Sequence, residues 1–106
     1  IWVALAVEAS VTKLDRDGKE LGTFRVGDTP VAVLFSDFQG EGHIWVANLA
    51  DDTVMKLTLH GHRLAVVRTG DKPSAMAVFG DTLAVVNSGS RSLTSVPLAT
   101  GGESMM

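Results

Sequence analysis

A chain of 106 residues with 45% hydrophobic and 20% charged side chains is sized and composed for one globular domain, which excludes a disordered segment. Its net charge of −3 and its lack of any Lys/Arg cluster exclude a nucleic-acid surface, which needs a basic stripe. No cysteine is present, which excludes disulfides and thiolate metal sites, and no run approaches the roughly 18 apolar residues of a membrane-spanning helix.

The chain opens on Ile1–Val7, an apolar run that periodicity alone cannot assign to helix or strand. That run returns. Ile1-Trp2-Val3-Ala4 recurs as Ile44-Trp45-Val46-Ala47, and at this offset of forty-three, fourteen of thirty-five aligned pairs are identical. They include Val11/Val54, Lys13/Lys56, Leu14/Leu57, Gly18/Gly61, Gly27/Gly70, Asp28/Asp71 and Pro30/Pro73. In the second copy the run enters Leu49-Ala50-Asp51-Asp52, a polar turn where a helix would have to continue, so both copies read as a strand followed by a turn. A period near 43 is that of a four-stranded propeller blade.

One full unit is read from Pro30 to about Gly70. Its first strand is Val31–Phe35, entered through a proline suited to a strand start. A loop over Ser36–His43 leads to Ile44–Asn48, apolar on both faces as an inner strand between neighbouring blades should be. The turn Leu49–Asp52 leads to a third strand, Thr53–Leu59, with Met55, Leu57 and Leu59 on one face and Val54, Lys56 and Thr58 on the other. His60-Gly61 turns into a fourth strand, His62–Arg68, and Asp17-Gly18 stands at the same hairpin in the earlier copy as a two-residue turn signal. The connections Gly27-Asp28-Thr29-Pro30 and Gly70-Asp71-Lys72-Pro73 carry the chain from blade to blade. A third, more worn copy has a first loop four residues shorter, at Phe79–Thr82, then strands at Leu83–Asn87 and Leu93–Leu98. Pro97 marks that last strand as exposed or terminal.

The expected fold is therefore all-β, built of propeller blades of four antiparallel strands and incomplete: a partial, a full and a partial blade. Strands two to four of a first blade fall at about 1–26, a whole blade at about 30–69, and strands one to three of a third at about 73–98. The tail 99–106 has no strand pattern and is expected to fray. A start at Ile1, inside a repeat unit, is read as that of a fragment, a processed product or a trimmed chain.

The stretches IWVANLADDTVMKL and GDTPVAVLF resemble the repeats of bacterial YVTN-type and NHL-like β-propellers, the lactonase-like and streptogramin-lyase-like group. The likeness runs from Ile1 to Leu98 and is carried by the Trp-Val-Ala-Asn strand, the following Thr-Val-x-Lys-Leu and the Gly-Asp-x-Pro connection. It implies six- or seven-bladed propellers and an extracytoplasmic setting. It implies no single activity, because such repeats serve binding scaffolds, surface proteins and several enzymes. The first copy departs from the pattern: Leu5, Glu8 and Ala9 stand where the second has Asn48, Asp51 and Asp52.

In a propeller, the loops between strands four and one and between strands two and three share the ligand face. That face would collect Asp28, Asn48, Asp51, Asp52, Asp71, Lys72, Asn87 and Arg91, a polar surface able to hold a cation or a polar ligand through oxygen atoms. The competing reading is that Asn and Asp tie their own turns, and recurrence in successive copies favours it. No catalytic, cofactor or metal residues are assigned. His60-Gly61-His62 and His43 lack further ligands nearby and read as turn and strand-entry residues, on the face away from the ligand loops. Lyases of the resembled group use His and Glu near the central channel, and the ligand-side loops here carry no His. Trp2 and Trp45 hold one repeat position and read as blade-packing residues.

The expected function is a non-enzymatic binding or interaction scaffold, with no cofactor. The alternatives are a fragment of a lyase- or lactonase-like propeller enzyme whose catalytic residues lie outside this chain, and a blade module that oligomerises into a ring. Expected partners are further propeller blades, from a longer chain or by self-association, and a protein or small polar ligand; neither nucleic acid nor membrane is expected.

Overall fold

The computed structural model describes residues 1–38 and 40–98, with the backbone alone at 38. The tail 99–106, expected to fray, lies outside the described residues. Among the described residues ten strands follow one another: β1 Trp2–Leu5, β2 Ser10–Leu14, β3 Glu20–Arg25, β4 Pro30–Phe38, β5 Glu41–Asn48, β6 Thr53–Thr58, β7 Arg63–Arg68, β8 Pro73–Phe79, β9 Thr82–Asn87 and β10 Ser92–Pro97. A 3₁₀ turn, Leu49–Asp51, joins β5 to β6. The strands form three antiparallel sheets in the orders β1-β2-β3, β4-β5-β6-β7 and β10-β9-β8. Every neighbour in a sheet is a neighbour in the chain. This meander is the topology of propeller blades, one with four strands flanked by two with three, so the fold is all-β with incomplete blades.

The sheets stack face to face, and β5 explains why. Its residues alternate between two cores: Trp45 and Ala47 join Val54, Leu83, Val85, Val96 and Leu98 between the second and third sheets. Ile44 and Val46 join Val11, Val26, Met55 and Leu57 between the first and second. A strand with an apolar layer on each side must be apolar at every position, which is what Ile44–Ala47 supplies. The full burial of Trp45 alone stabilises the stack by about 2–3 kcal/mol relative to exposure.

Two local features differ from the sequence reading. Most of the expected loop over Ser36–His43 belongs to strands: Ser36 pairs with His43 and Asp37 with Gly42 as β4 extends to Phe38 and β5 starts at Glu41, with Gly40 at φ 83°. Polar residues there mimic a loop, yet the Ser36 hydroxyl has a partner inside the fold, the Trp45 indole N–H at 2.9 Å. The β2–β3 hairpin is also not a two-residue turn. The Gly18 N–H donates to the Asp15 carbonyl at 3.0 Å, the Asp15 N–H donates to the Lys19 carbonyl at 2.9 Å, and Gly18 lies at φ 87°. This is a type I turn closed by a left-handed glycine, the three-residue hairpin loop. The Asp15 carboxylate accepts from the N–H groups of Asp17 and Lys19, both at 2.9 Å. Thr58 does the same for His60 and His62 in the second sheet.

Candidate functional site

The connections that enter the second and third sheets and the turns between the second and third strands of those two sheets meet at one end of the molecule, and hydrogen bonds join them. In the second sheet the Leu49 N–H donates to the Thr29 carbonyl (2.9 Å) and the Ala50 N–H to the Asp28 carbonyl (3.3 Å). In the return direction Asn48 Oδ1 accepts from the Gly27 N–H (3.2 Å) and Asp51 Oδ2 from the Asp28 N–H (2.8 Å). Asn48 is fully buried, and its Nδ2 donates to Thr53 Oγ1 at 3.3 Å. Gly27 is required by this closeness: a Cβ there would lie 2.6 Å from Asp51 Oδ2 and 2.7 Å from Asn48 Cγ.

The third sheet repeats the arrangement with other atoms. The Ser88 and Gly89 N–H groups donate to the carbonyls of Lys72 and Asp71. Ser90 Oγ accepts from the Asp71 N–H, in the place of Asp51, and Thr94 Oγ1 accepts from the Gly70 N–H, in the place of Asn48. Asn87 remains fully buried and donates to Thr94 Oγ1 (2.9 Å) and Ser92 Oγ (3.3 Å). Asp52 links the two clusters, because its Oδ1 accepts from the Lys72 N–H (2.9 Å) and its carbonyl from the Thr69 N–H (2.9 Å).

The eight residues expected on a ligand face thus lie at one end in two linked clusters, with unequal freedom. Asn48, Asp51 and Asp52 have side chains bonded into the loops, and Asn87 bonds to Ser92 and Thr94 of β10. Asp28, Asp71, Lys72 and Arg91 are exposed at the rim, Asp28 accepting from the neighbouring Thr29 hydroxyl. The backbone is strained at matching places: Ala9, Asp52 and Arg91 have φ of 53°, 57° and 53°, and Thr29 and Lys72 have φ of 55° and 58°. Left-handed non-glycine residues often mark functional sites. Here they recur from sheet to sheet, which ties them to the shape of the repeat.

A second constellation was not legible as a site. Lys56 is 1% exposed, lies 5.4 Å from the centre of the Trp45 ring, and donates from Nζ to the Leu98 carbonyl of the third sheet at 2.8 Å. Lys13 lies 5.6 Å from the Trp2 ring and donates to the Leu59 carbonyl of the second sheet at 2.9 Å. Each lysine therefore stacks on the tryptophan of its own sheet and reaches across to a carbonyl that follows the third strand of the next. Cation–π attraction and a charge-assisted hydrogen bond act together in this clasp. The signal was the Lys13/Lys56 identity within apolar strands, which a reading of strand faces left without a role.

No group of three or more His, Asp or Glu residues able to hold a metal ion occurs among the described residues. His60 and His62 are exposed beside Gly61, and half-buried His43 pairs across to Ser36 and Thr58 within the second sheet.

The meander sheets, the two-sided inner strand and the recurring loop clusters define the class: blades of a propeller-like array. The chain is similar to Kuenenia stuttgartiensis hydrazine synthase, with a TM-score of 0.68 and 19% sequence identity over 91% of this chain and 32% of that one. It spans about a third of the length of that structure, and at such identity the likeness is one of fold alone. No protein-family model matches the chain, and no curated protein matches it.

Proposed function

We propose that this chain is a non-enzymatic binding scaffold, part of a YVTN/NHL-like β-propeller that offers the loop end of its blades to a protein or a small polar ligand. The observation that carries the reading is the division of labour at that end. Asn48, Asp52 and the exposed Asp51 hold the loops through their side chains, Asn87 braces the adjoining β10, and the exposed rim of Asp28, Asp71, Lys72 and Arg91 stands on the platform they build. A binding surface gains from such rigidity because less freedom is lost on association. Activity does not follow from the fold likeness to an enzyme, since function resides in sites grafted on folds.

The reading is tested by a rim variant that keeps the platform: Asp28→Ala, Asp71→Ala, Lys72→Asn and Arg91→Asn, with asparagine chosen because it tolerates positive φ. The expected result is an unchanged melting temperature together with loss of whatever partner the immobilised wild-type chain retains from an extract of its source cells. A partner retained equally by both proteins would place binding elsewhere and sink the proposal.

A further inference from the structure

We infer that the free edge of β7 docks an acidic extended segment of a partner polypeptide, which adds to the second sheet as a further antiparallel strand. This surface runs along the outer strand of the four-stranded sheet and does not depend on the role proposed for the loop end.

The edge belongs to the interior of the chain. β7 closes the order β4-β5-β6-β7, residues 69–72 then carry the chain into β8 of the next sheet, and no described strand lies beyond β7. Its outward backbone groups follow from the pairing with β6. The Thr69 N–H donates inward to the Asp52 carbonyl at 2.9 Å. Antiparallel pairing alternates, so Val67 and Ala65 also bond inward, and the N–H and C=O groups of Arg68 and Val66 point out from the sheet. Such a row is a template for strand addition.

The side chains define the strand that fits. Arg63 lies opposite Leu57, Val66 opposite Met55 and Arg68 opposite Thr53. Leu57 and Met55 face the core between the first two sheets, so alternation puts Arg63, Val66 and Arg68 on that same side. Val66 is 48% exposed, and Leu64, which the register skips at the bulge, is 37% exposed. Both arginines are exposed, and neither guanidinium has a hydrogen bond or ion pair among the described residues. In a chain of net charge −3, no Asp or Glu occurs between Asp52 and Asp71.

The repeat shows that the fold does not require this pattern. β3 is the equivalent strand of the first sheet and keeps Leu21 and Arg25 at the places of Leu64 and Arg68, but it has Glu20 for Arg63 and Thr23 for Val66. The Glu20 carboxylate accepts from the Thr23 hydroxyl at 2.9 Å, so that edge is mixed in charge and satisfies itself. The paired arginines of β7 repel a second copy of the same strand and favour one of opposite charge. The partner pattern is acidic-x-apolar-x-acidic, with the apolar residue opposite Val66 and the acids opposite Arg68 and the bulge at Arg63.

The test is a fluorescence-anisotropy titration of the full chain into a dye-labelled peptide, Gly-Glu-Thr-Val-Thr-Glu-Gly. The expected result is one saturable site below about 1 mM, weakened about ten-fold when NaCl rises from about 50 to about 500 mM. N-methylation of the two Glu and the Val, whose amides face β7, should abolish binding. N-methylation of the two Thr, whose amides face away, should leave it within about two-fold. In the protein, joint Arg63→Glu and Arg68→Glu should abolish binding at an unchanged melting temperature and create binding of the peptide with Lys in place of Glu. The β3 variant Arg25→Glu should change neither. Failure to saturate, equal binding of the two N-methylated peptides, retention of the acidic peptide by the double variant, or an equal loss with Arg25→Glu overturns the inference.

Discussion

Lys56 is the residue on which the geometry makes its sharpest demand. A lysine at 1% exposure survives in a β-sheet stack only if its ammonium group is compensated, and the Trp45 face and the Leu98 carbonyl both contribute. Lys13 makes the same contacts while half-exposed, so water can replace what a substitution removes. Lys56→Ala is therefore expected to lower unfolding stability by about 2–4 kcal/mol and Lys13→Ala by less than about 1 kcal/mol, read from urea denaturation midpoints. Equal losses from the two would remove the clasp from this account. Ala9 offers a test of the opposite sign. It sits at φ 53° where the second sheet has Asp52 and the third Arg91, and a residue at home in the left-handed region relieves that strain. Ala9→Asn should raise stability by about 0.5–1 kcal/mol in thermal melts; a loss would show that the turn is held in place by something other than its backbone.

At the scale of elements, strand order and sheet membership were legible because the repeat forces each ambiguous run to agree with its copy. Ile1–Val7 alone is indeterminate, but the polar turn after Ile44–Asn48 makes both runs strands. What the sequence hid was cross-strand chemistry. Ser36, Asp37 and His43 look like loop residues until Ser36 is placed against the Trp45 indole, a contact between positions nine apart that no local propensity encodes. The loop-end residues were legible as a set, because Asn and Asp recur at turns, whereas their division into bonded and exposed members needed coordinates. That division predicts an asymmetry between the two buried asparagines. Asn48→Ala strands the Gly27 N–H and should cost about 1–3 kcal/mol. Asn87→Ala should cost less, since Thr94 already satisfies the Gly70 N–H and Asn87 Oδ1 is buried without a partner among the described residues. Guanidinium unfolding of the two single variants decides it, and the reverse order would contradict the hydrogen-bond assignment.

Across the whole molecule, three sheets share two cores that meet on the opposite faces of β5, and the lysine clasps run between the same pairs of sheets. Stability in such a stack is a sum of units and their interfaces, so the middle sheet, packed on both sides, is the most protected and the outer edges the least. Residue-resolved amide hydrogen exchange of the folded chain measures this most directly. The slowest exchange is expected at Trp45–Ala47 and Val54–Leu57, and faster exchange along β3 and β10. A middle sheet no better protected than β3 and β10 would contradict the stacked-blade arrangement on which the rest depends.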